Sequence, residues 1–296
     1  MFLLNKNNDL VSVIIPVFNS PHTIDRAIKS VLNQTYDNIE ILIINDASTD
    51  NTQKILEDIK VDNIRIFNFS NNKGPSIARN FGIKKSKGKY IAFLDSDDEW
   101  LPDKISKQVD LINRYKDEEW AAVYTGQILI KKNRIVKIFP KDEGNLRLKI
   151  LYIKTGLATC STILIRKNVF EEIGYFNEKL SFNEDPEFMI RYFEKYKIAV
   201  IPDALVKIHS QPKSAIYIEK GKKQFLDEIS LKLDKLDKRK RDKVYAYNYI
   251  SIAKAFSREK NLEKTFYYFK KSISKKLLFP INYVKILLNL LNLGYV

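Results

Sequence analysis

Short apolar runs alternate with amphipathic segments over the first hundred residues. The apolar runs have the length and continuous hydrophobicity of strands that are buried on both faces. They predict four strands, at 11–17, 39–44, 64–69 and 90–94. Between them, apolar residues at helical spacing predict a helix capped by Ser20 with Pro21 at its first position, a helix at about 50–59, and a helix from Pro75. This alternation predicts right-handed βαβ units and an α/β fold, with a mostly parallel sheet covered by helices on both faces.

The pattern changes after a predicted helix from Pro102 to about Tyr115. The sequence then predicts a strand pair at 120–131 and 134–139 that turns at Lys132-Asn133, a helix at 146–153, a strand at 161–165, a helix after Pro186, and short strands at 198–201 and 204–208. Apolar stripes and frequent lysines then predict helices at 219–237, 243–258, 262–274 and 281–292. We therefore expect an α/β domain at 1–218 and a basic helical region at 219–296.

Composition narrows the class of protein. A hydrophobic content of 45% over 296 residues is sufficient for a large core. The single cysteine, Cys160, excludes a disulfide framework and favours a reducing compartment. We expect no signal peptide, because the apolar block at residues 1–4 is too short. We also expect no spanning helix, because no uninterrupted apolar stretch reaches about 18 residues.

The net charge of +15 is concentrated in the C-terminal part of the chain. From Lys220 to Val296 there are 19 Lys and Arg against 7 Asp and Glu, a net charge of +12. One interpretation is docking on an anionic membrane surface, which the lysine-flanked apolar segment 277–293 favours. A second is a module for oligomerisation or protein binding, since 245–269 resembles one helical hairpin. A third is a solvated structural cap.

The four predicted N-terminal strands all end in polar side chains. These are Asn19, Asp46, Asn71 with Asn72, and Asp95 with Asp97. Parallel pairing brings such strand ends to one edge of the sheet, where open α/β sheets bind ligands. Loop surfaces are polar in any case, so coincidence is the alternative. The acidic residues at two of the four ends favour a binding site.

The last of these ends is unusually acidic, since Asp95-Ser96-Asp97-Asp98-Glu99 has four carboxylates in five residues. Such carboxylates repel one another unless a positive group lies among them. A hard divalent cation with oxygen ligands, Mg²⁺ or Mn²⁺, is the natural candidate. The alternative is a solvated acidic turn with Asp98 or Glu99 near the cap of the next helix. An EF-hand loop is disfavoured because its sixth position is not Gly and its twelfth is not Glu.

Five ordered segments resemble the family-2 glycosyltransferases, which have the GT-A fold. The segments are VSVIIPVFN (11–19), ILIINDASTDNT (41–52), NKGPSIARNFGIKKSKGKYIAFLDSDDEWLPDK (72–104), NEDPEFMIRYF (183–193) and HSQPKS (209–214). The resemblance covers about residues 11–214. It implies transfer of a sugar from a nucleotide-sugar donor with inversion at the anomeric carbon.

The resemblance also implies a pocket for a UDP-sugar donor. Asp46 resembles the carboxylate that accepts a hydrogen bond from the uracil ring and selects it over cytosine; the alternative is an Asx-type turn residue. Asn45 and Ala47 stand where the family usually has Asp and Gly. The other implied donor-binding residues are Pro16, Phe18 and Asn19 in the second wall of the pocket, Lys73 and Arg79 as basic positions, Asp95 near the ribose, and Ser96. An ion-pair anchor is the alternative role for Arg79.

Asp95 and Asp97 match the Asp-x-Asp motif of this family, which implies Mn²⁺ or Mg²⁺ on Asp97, bridging the two donor phosphates. His209 matches a position that supplies a further metal ligand in some members. We interpret the other histidine, His22, as structural.

Asp185 matches the catalytic base, which takes the proton of the acceptor hydroxyl during attack on the anomeric carbon. Glu184 would be a neighbour that positions the acceptor. The alternative is that Asp185 is an ordinary helix N-cap, because Pro186 suits a first helical position.

Processive polysaccharide synthases of this family have a Gln-x-x-Arg-Trp motif after the base. Here Trp100 and Trp120 both precede Asp185, so we expect transfer of a single sugar. The expected acceptor is a glycan or a lipid-linked glycan in bacterial surface polysaccharide synthesis. We expect a cytoplasmic enzyme, peripheral on the inner face of the cytoplasmic membrane, with no nucleic-acid partner.

Other functions agree less well with these residues. A sugar-nucleotide pyrophosphorylase would share the sheet, but the segment 18–21 is not a glycine-rich nucleotide loop. A basic nucleic-acid-binding or membrane-binding protein would match the net charge, yet the acidic strand end would repel nucleic-acid phosphates. A catalytically inactive scaffold of the same fold conflicts with the presence of Asp95, Asp97 and Asp185 together.

Overall fold

The computed structural model describes residues 8–131, 134–154, 157, 159–209, 212–277 and 280–291. The chain divides into two compact units. The first unit comprises residues 1–147, 155–178 and 188–210. The second comprises 148–154, 179–187 and 211–296, so two short segments from the middle of the chain belong with its C-terminal part.

Nine strands of the described chain form one sheet. They are β1 (Val11–Val17), β2 (Ile39–Asn45), β3 (Ile64–Asn68), β4 (Tyr90–Phe93), β5 (Glu99–Trp100), β6 (Trp120–Lys131), β7 (Arg134–Ile138), β8 (Ile163–Arg166) and β9 (Lys197–His209). The order is β3-β2-β1-β4-β8-β6-β9-β5, with β7 paired to β6. Strands β3, β2, β1 and β4 are parallel to one another, as are β6 and β9, and the remaining pairs are antiparallel. The predicted α/β class is confirmed, and antiparallel pairs enter in the second half of the sheet.

The described helices follow the predicted alternation in the first hundred residues. They are α1 (Ile24–Leu32), α2 (Thr52–Glu57), α3 (Pro75–Lys85), α4 (Lys104–Ile112), α5 (Arg147–Leu151), α6 (Asn168–Ile173), α7 (Glu184–Tyr192), α8 (Ala215–Glu228), α9 (Ser230–Asp234), α10 (Lys238–Arg258), α11 (Leu262–Lys275) and α12 (Ile281–Leu290). A single 3-10 turn, Cys160–Thr162, precedes β8 in the described chain. In the described residues, no helix is both long enough and apolar enough to cross a membrane.

Both faces of the sheet are covered in the first unit. Successive side chains of a strand point to opposite faces. Val13 and Ile15 of β1 belong to a core that includes residues of α1 and α4. Ile14 lies between them in the strand, on the opposite face, and contacts α3. A Cβ atom on Gly82 of α3 would lie 2.5 Å from Cγ2 of Ile14, so this glycine permits the close approach of the helix to β1.

The first helix starts later than its sequence predicts. It begins at Ile24, and the backbone N–H groups of Thr23 and Ile24 both donate to the carbonyl of Ser20. The Ser20 hydroxyl donates to the carbonyl of Phe18, at 3.0 Å, instead of capping the helix. The predicted start at Pro21 was therefore wrong, because a turn precedes the helix.

The segment after the acidic residues also differs from the prediction. Glu99 and Trp100 pair with β9 as strand β5, and α4 begins only at Lys104, beyond Pro102. Asp98 and Glu99 are therefore not at a helix cap. The two predicted strands at 198–201 and 204–208 form the continuous strand β9, which passes an irregularity in its pairing with β6. The turn predicted at Lys132-Asn133 lies outside the described residues.

The second unit is helical in its C-terminal part, as predicted. Helix α10 packs against α8, α11 and α12. The rings of Phe256 in α10 and Tyr268 in α11 are stacked with centroids 6.2 Å apart. Tyr152, in the segment 148–154, contacts Tyr247 of α10 with ring centroids 5.9 Å apart. Helix α8 contains the expected domain boundary at 218, and the predicted helix 219–237 is divided between α8 and α9 at Ile229.

Candidate functional site

The loops that follow β1, β2 and β4 are hydrogen-bonded to one another at the carboxyl edge of the parallel strands. The backbone N–H of Thr49 donates to Oδ1 of Asn19 at 2.9 Å, and the N–H of Asn19 donates to the hydroxyl of Ser48 at 3.0 Å. The hydroxyls of Ser20 and Ser96 are 2.8 Å apart. The structure therefore brings the predicted site residues Asn19 and Ser96 into one linked set of loops.

Asp46 holds the chain that leads into α3. It is buried, its Oδ1 accepts from the N–H of Lys73 at 2.7 Å, and its Oδ2 accepts from the N–H of Gly74 at 2.8 Å. These bonds reach across 27 and 28 residues of sequence, so they differ from the local Asx-type turn that the sequence offered as the alternative role. A carboxylate has about four acceptor positions, so the predicted bond to uracil is compatible with these two contacts. The neighbouring Ala47 has φ 58°, a left-handed conformation that explains why glycine suits this position.

The remaining predicted donor-binding residues of this edge lie on or just after their strands. Pro16 is in β1 opposite Ile44 of β2, and Phe18 follows the strand with its side chain exposed. The Lys73 ammonium lies 5.0 Å from the centre of the Phe69 ring. Their contact with a nucleotide stays a prediction.

Asp95 forms an ion pair with Arg79 across the edge of the sheet. The Arg79 guanidinium, almost fully buried on α3, donates to Oδ1 of Asp95 at 2.7 Å. The Thr159 hydroxyl lies 3.4 Å from the other carboxylate oxygen. The ion-pair role that the sequence offered for Arg79 is thus present. It also places a guanidinium beside the acidic segment, where it offsets part of the negative charge.

Asp97 and Asp98 remain crowded with negative charge. Burial, and the charge of Asp95, raise the pKa of Asp97 above its usual value. Burial and the same neighbour raise the pKa of Asp98 well above its usual range. Asp98 accepts hydrogen bonds from the Ser161 hydroxyl at 2.7 Å and from the backbone N–H of His209 at 3.3 Å. Both carboxylates therefore lie where an added cation would be favourable.

His209 contacts the acidic segment through Glu99. Its Nε2 lies 2.8 Å from Oε1 of Glu99. The Glu99 carboxylate also forms ion pairs with Arg26, through Oε1 at 3.2 Å, and with Lys207, through Oε2 at 3.2 Å. Burial alone would raise the pKa of Glu99, but the hydrogen bonds from His209 and Lys207 outweigh it and lower that pKa. Metal-binding histidines commonly hold one ring nitrogen against a carboxylate in this way, which leaves the other nitrogen as a ligand.

Several supporting residues were not identified from the sequence. Arg26 of α1 donates to the carbonyl of Asp97 at 2.9 Å. Ser161 accepts from the N–H of Asp95 at 3.1 Å, and its own carbonyl accepts from the Trp100 indole at 2.8 Å. No local pattern marks these residues, because each partner is distant in the sequence. Together they fix the backbone of the acidic segment.

The donor atoms of this segment fit a hard divalent cation. In the part of the chain that the structure describes, no group of three or more His, Cys, Asp and Glu side chains forms a ready metal cluster. Mg²⁺ and Mn²⁺ are commonly held by one or two carboxylates, with the other ligands supplied by substrate phosphates and water. Burial and the negative charge of Asp95 both raise the pKa values of Asp97 and Asp98, and a bound cation would offset both effects.

Glu184 and Asp185 belong to the second unit. They are the first two residues of α7, so Asp185 lies inside the first helical turn and is not the N-cap. The preceding residue, Asn183, has φ 63°, which turns the chain sharply into the helix. The first turn of a helix favours negative charge, which suits two carboxylates at this position.

Comparison with known proteins gives the family. The family described as Glycosyl transferase family 2 matches residues 12–174. An uncharacterized glycosyltransferase of Rickettsia conorii is 35% identical over 75% of this chain and 36% of its own length. The Escherichia coli UDP-Glc:alpha-D-GlcNAc-diphosphoundecaprenol beta-1,3-glucosyltransferase WfaP is 38% identical over 56% of this chain and 64% of its own length. The chain thus spans between about a third and two thirds of these relatives.

A solved structure supports the fold assignment. The Staphylococcus aureus TarS 1–349 structure in complex with UDP matches with a TM-score of 0.59 and 19% identity, over 90% of this chain and 88% of that one. This likeness confirms the GT-A fold that the sequence predicted. Because this family matches more than half of the chain, the protein belongs to glycosyl transferase family 2.

Proposed function

We propose that this protein is a metal-dependent inverting glycosyltransferase that transfers one sugar from a UDP-sugar to a hydroxyl of a glycan or lipid-linked acceptor. The observation that carries the proposal is the crowded acidic segment at the carboxyl end of β4, whose carboxylates Asp97 and Asp98 have raised pKa values. Relatives with names that specify a UDP-sugar and a lipid-linked GlcNAc acceptor support the substrate class. Surface polysaccharide synthesis in a bacterial cytoplasm is the corresponding setting.

The donor would bind along the carboxyl edge of the parallel strands. Asp46 would accept from the uracil ring, Asp95 would lie near the ribose, and Lys73 would attract the phosphates. Asp97, with His209, would hold Mn²⁺ or Mg²⁺. The bound metal would supply Lewis-acid stabilisation of the charge that develops on the leaving UDP.

Asp185 would act on the acceptor. Its carboxylate would take the proton of the attacking hydroxyl while the new glycosidic bond forms and the bond to UDP breaks. The products are the glycosylated acceptor and UDP, with the proton on the carboxyl group until it passes to water. Glu184 would orient the acceptor.

The first test is the thermal stability of the full chain with nucleotide and metal. We expect UDP with Mn²⁺ to stabilise the protein by about 2.7 kcal/mol at a ligand concentration of roughly 100 times Kd. UDP with EDTA, and GDP, CDP or ADP with Mn²⁺, are expected to give little or no shift. An equal response with EDTA would contradict metal dependence, and no response to any nucleotide would favour the inactive scaffold.

We also propose that α12 helps the protein associate with an anionic membrane surface. Ile281, Leu287 and Leu291 are 61%, 58% and 65% exposed, and together with Val284 they lie at helical spacing on one side. Helix α11 carries lysines toward its C-terminal end, before α12. Residues 278–279 and 292–293 of the predicted segment 277–293 lie outside the described residues. An exposed apolar stripe near lysines matches an interfacial helix on anionic lipid.

Sedimentation with phosphatidylcholine vesicles, with and without phosphatidylglycerol, tests this association. Replacing Leu287 and Leu291 together with Asp is expected to lower binding to the anionic vesicles by about tenfold or more, since each buried leucine contributes roughly 1.5–3 kcal/mol. The control is Leu231→Asp, at an exposed position of α9. Unchanged binding of the double variant would reject α12 as the contact.

A further inference from the structure

The segment 179–187 carries both Glu184 and Asp185, and it lies against helix α8 within the second unit. The contacts come from Tyr217, Gly221 and Gln224. Residues at this spacing, i, i+4 and i+7, share one face of a helix. These three contacts therefore lie on one face of α8 and are spread over two helical turns.

Two of the three contacts are hydrogen bonds to backbone carbonyls. The Tyr217 hydroxyl donates to the carbonyl of Ser181 at 2.5 Å. The Gln224 side-chain amide donates to the carbonyl of Lys179 at 2.5 Å. These bonds fix the path of the main chain, and they do so just before the helix that contains Asp185.

The third contact is a close approach of a ring to a helix backbone. A Cβ atom on Gly221 would lie 2.5 Å from Cβ and 2.6 Å from Cδ1 of Phe182. Real Cβ atoms do not approach so closely, so the ring of Phe182 rests where only glycine leaves room. The ring also meets Tyr217 edge-on, with centroids 5.6 Å apart. Phe182 thus lies in a fitted site on α8.

Helix α8 is also anchored to the rest of the unit. Glu219 accepts from the Tyr268 hydroxyl at 2.5 Å and from Lys264 of α11 at 3.1 Å. The buried Lys222 ammonium donates to the side chain of Asn248 in α10 at 3.2 Å. A helix tied to two others in this way is a firm support for the segment that it holds.

We propose that Tyr217, Gly221 and Gln224 of α8 are positioning residues that set the place of Asp185 for proton transfer. The inference rests on the proposed function, since the role of Asp185 as the base is itself proposed. Phe182 packs on α8, Asn183 makes the sharp turn, and Asp185 is the second residue after that turn. A displaced ring therefore shifts the start of α7. The C-terminal helices are by this account part of the catalytic apparatus in addition to any docking role.

The test compares Gly221→Ala with Lys220→Ala, a control at the neighbouring exposed position of the same helix. The assay is release of UDP from UDP-glucose and UDP-N-acetylglucosamine by the full chain, with and without GlcNAc-diphosphoundecaprenol as acceptor. We expect Gly221→Ala to lower kcat by about 10²-fold, because a misplacement near 1 Å has an effect of that size. The donor KM and the thermal shift with UDP should stay at the wild-type values.

A second variant guards against misfolding. Tyr217→Phe with Gln224→Ala removes both carbonyl contacts at sites with partial solvent exposure and adds no atoms. We expect this double variant to have a lower kcat and an unchanged donor KM. When Gly221→Ala or the double variant is combined with Asp185→Asn, we expect no further loss of kcat, because an absent base cannot be misplaced.

The outcomes separate the two levels of the hypothesis. Normal kcat in both α8 variants, or a loss that simply multiplies with that of Asp185→Asn, would overturn the positioning role while leaving the proposed function in place. A raised donor KM with unchanged kcat would also overturn it. Absence of UDP release by the wild-type protein would overturn the proposed function and this inference with it.

Discussion

Replacing Asp185 with Asn is expected to lower the rate of sugar transfer by about 10²–10⁴-fold, the usual contribution of a general base. The amide has nearly the shape of the carboxylate but cannot accept the proton of an attacking hydroxyl. Binding of UDP should be unchanged, because the residues expected to hold the nucleotide are in the first unit and Asp185 is in the second. The variant therefore separates chemistry from donor binding.

The measurement is kcat for UDP release together with the thermal shift caused by UDP and Mn²⁺. Glu194→Gln is a matched control, since it makes the same change of carboxylate to amide just after α7, at a surface ion pair with Arg147. Surface pairs of this kind contribute about 0–1 kcal/mol, so the control should be active. Normal turnover of Asp185→Asn would remove Asp185 from the mechanism.

Replacing Asp97 with Ala is expected to abolish the metal-dependent stabilisation by UDP, about 2.7 kcal/mol at roughly 100 times Kd. The same change should keep or raise the stability of the protein without ligands. Burial and the charge of Asp95 raise the pKa of Asp97, so its ionised form is less favourable in the folded state than in the unfolded chain. Removing that charge relieves repulsion, so the stability without ligands should not fall. Damage to the fold would lower that stability, and the sign of the change therefore distinguishes lost binding from a damaged fold.

Melting temperatures with and without UDP and Mn²⁺ give both quantities for Asp97→Ala. Asp203→Ala is the control, because it also removes one negative charge from the first unit but at an exposed pair with Lys107. A variant at Asp97 that still responds to UDP only when Mn²⁺ is present would show that the metal is held elsewhere.

The first part of the fold could be predicted because its signals are local. Each of β1 to β4 is an apolar run and each intervening helix has its own periodicity, so no distant partner had to be known. Strand β5 escaped detection because it has two residues, Glu99 and Trp100, and exists through pairing with β9. Strand β9 was divided in the prediction because Pro202 and Asp203 look like a break, yet the ladder with β6 continues through a register shift.

In the candidate site, too, the local signals were predicted and the contacts between distant residues were not. The strand ends placed Asp46, Asp95 and Asp97 at one edge without knowledge of their contacts. The partners that fix the acidic segment were missed, since Glu99 meets Lys207 and His209 across 108 and 110 residues of sequence. The packing of the segment 179–187 on α8 depends on Gly221, a glycine in the middle of a helix. The sequence alone gives no reason for this glycine, and the structure explains it by placing Phe182 beside it.

The interleaving of the second unit has a consequence for biosynthesis. Ribosomes deliver the chain from its N-terminus at about 5–20 residues per second. Tyr152 and Phe182 therefore emerge before Tyr247 and Gly221, the residues that they contact in the finished protein. Until the last helices have been made, two aromatic segments in the middle of the nascent chain lack the surfaces that bury them. In a chain that stops at residue 218, both segments would lack these surfaces permanently. The protein therefore cannot be divided at that residue into two separate domains.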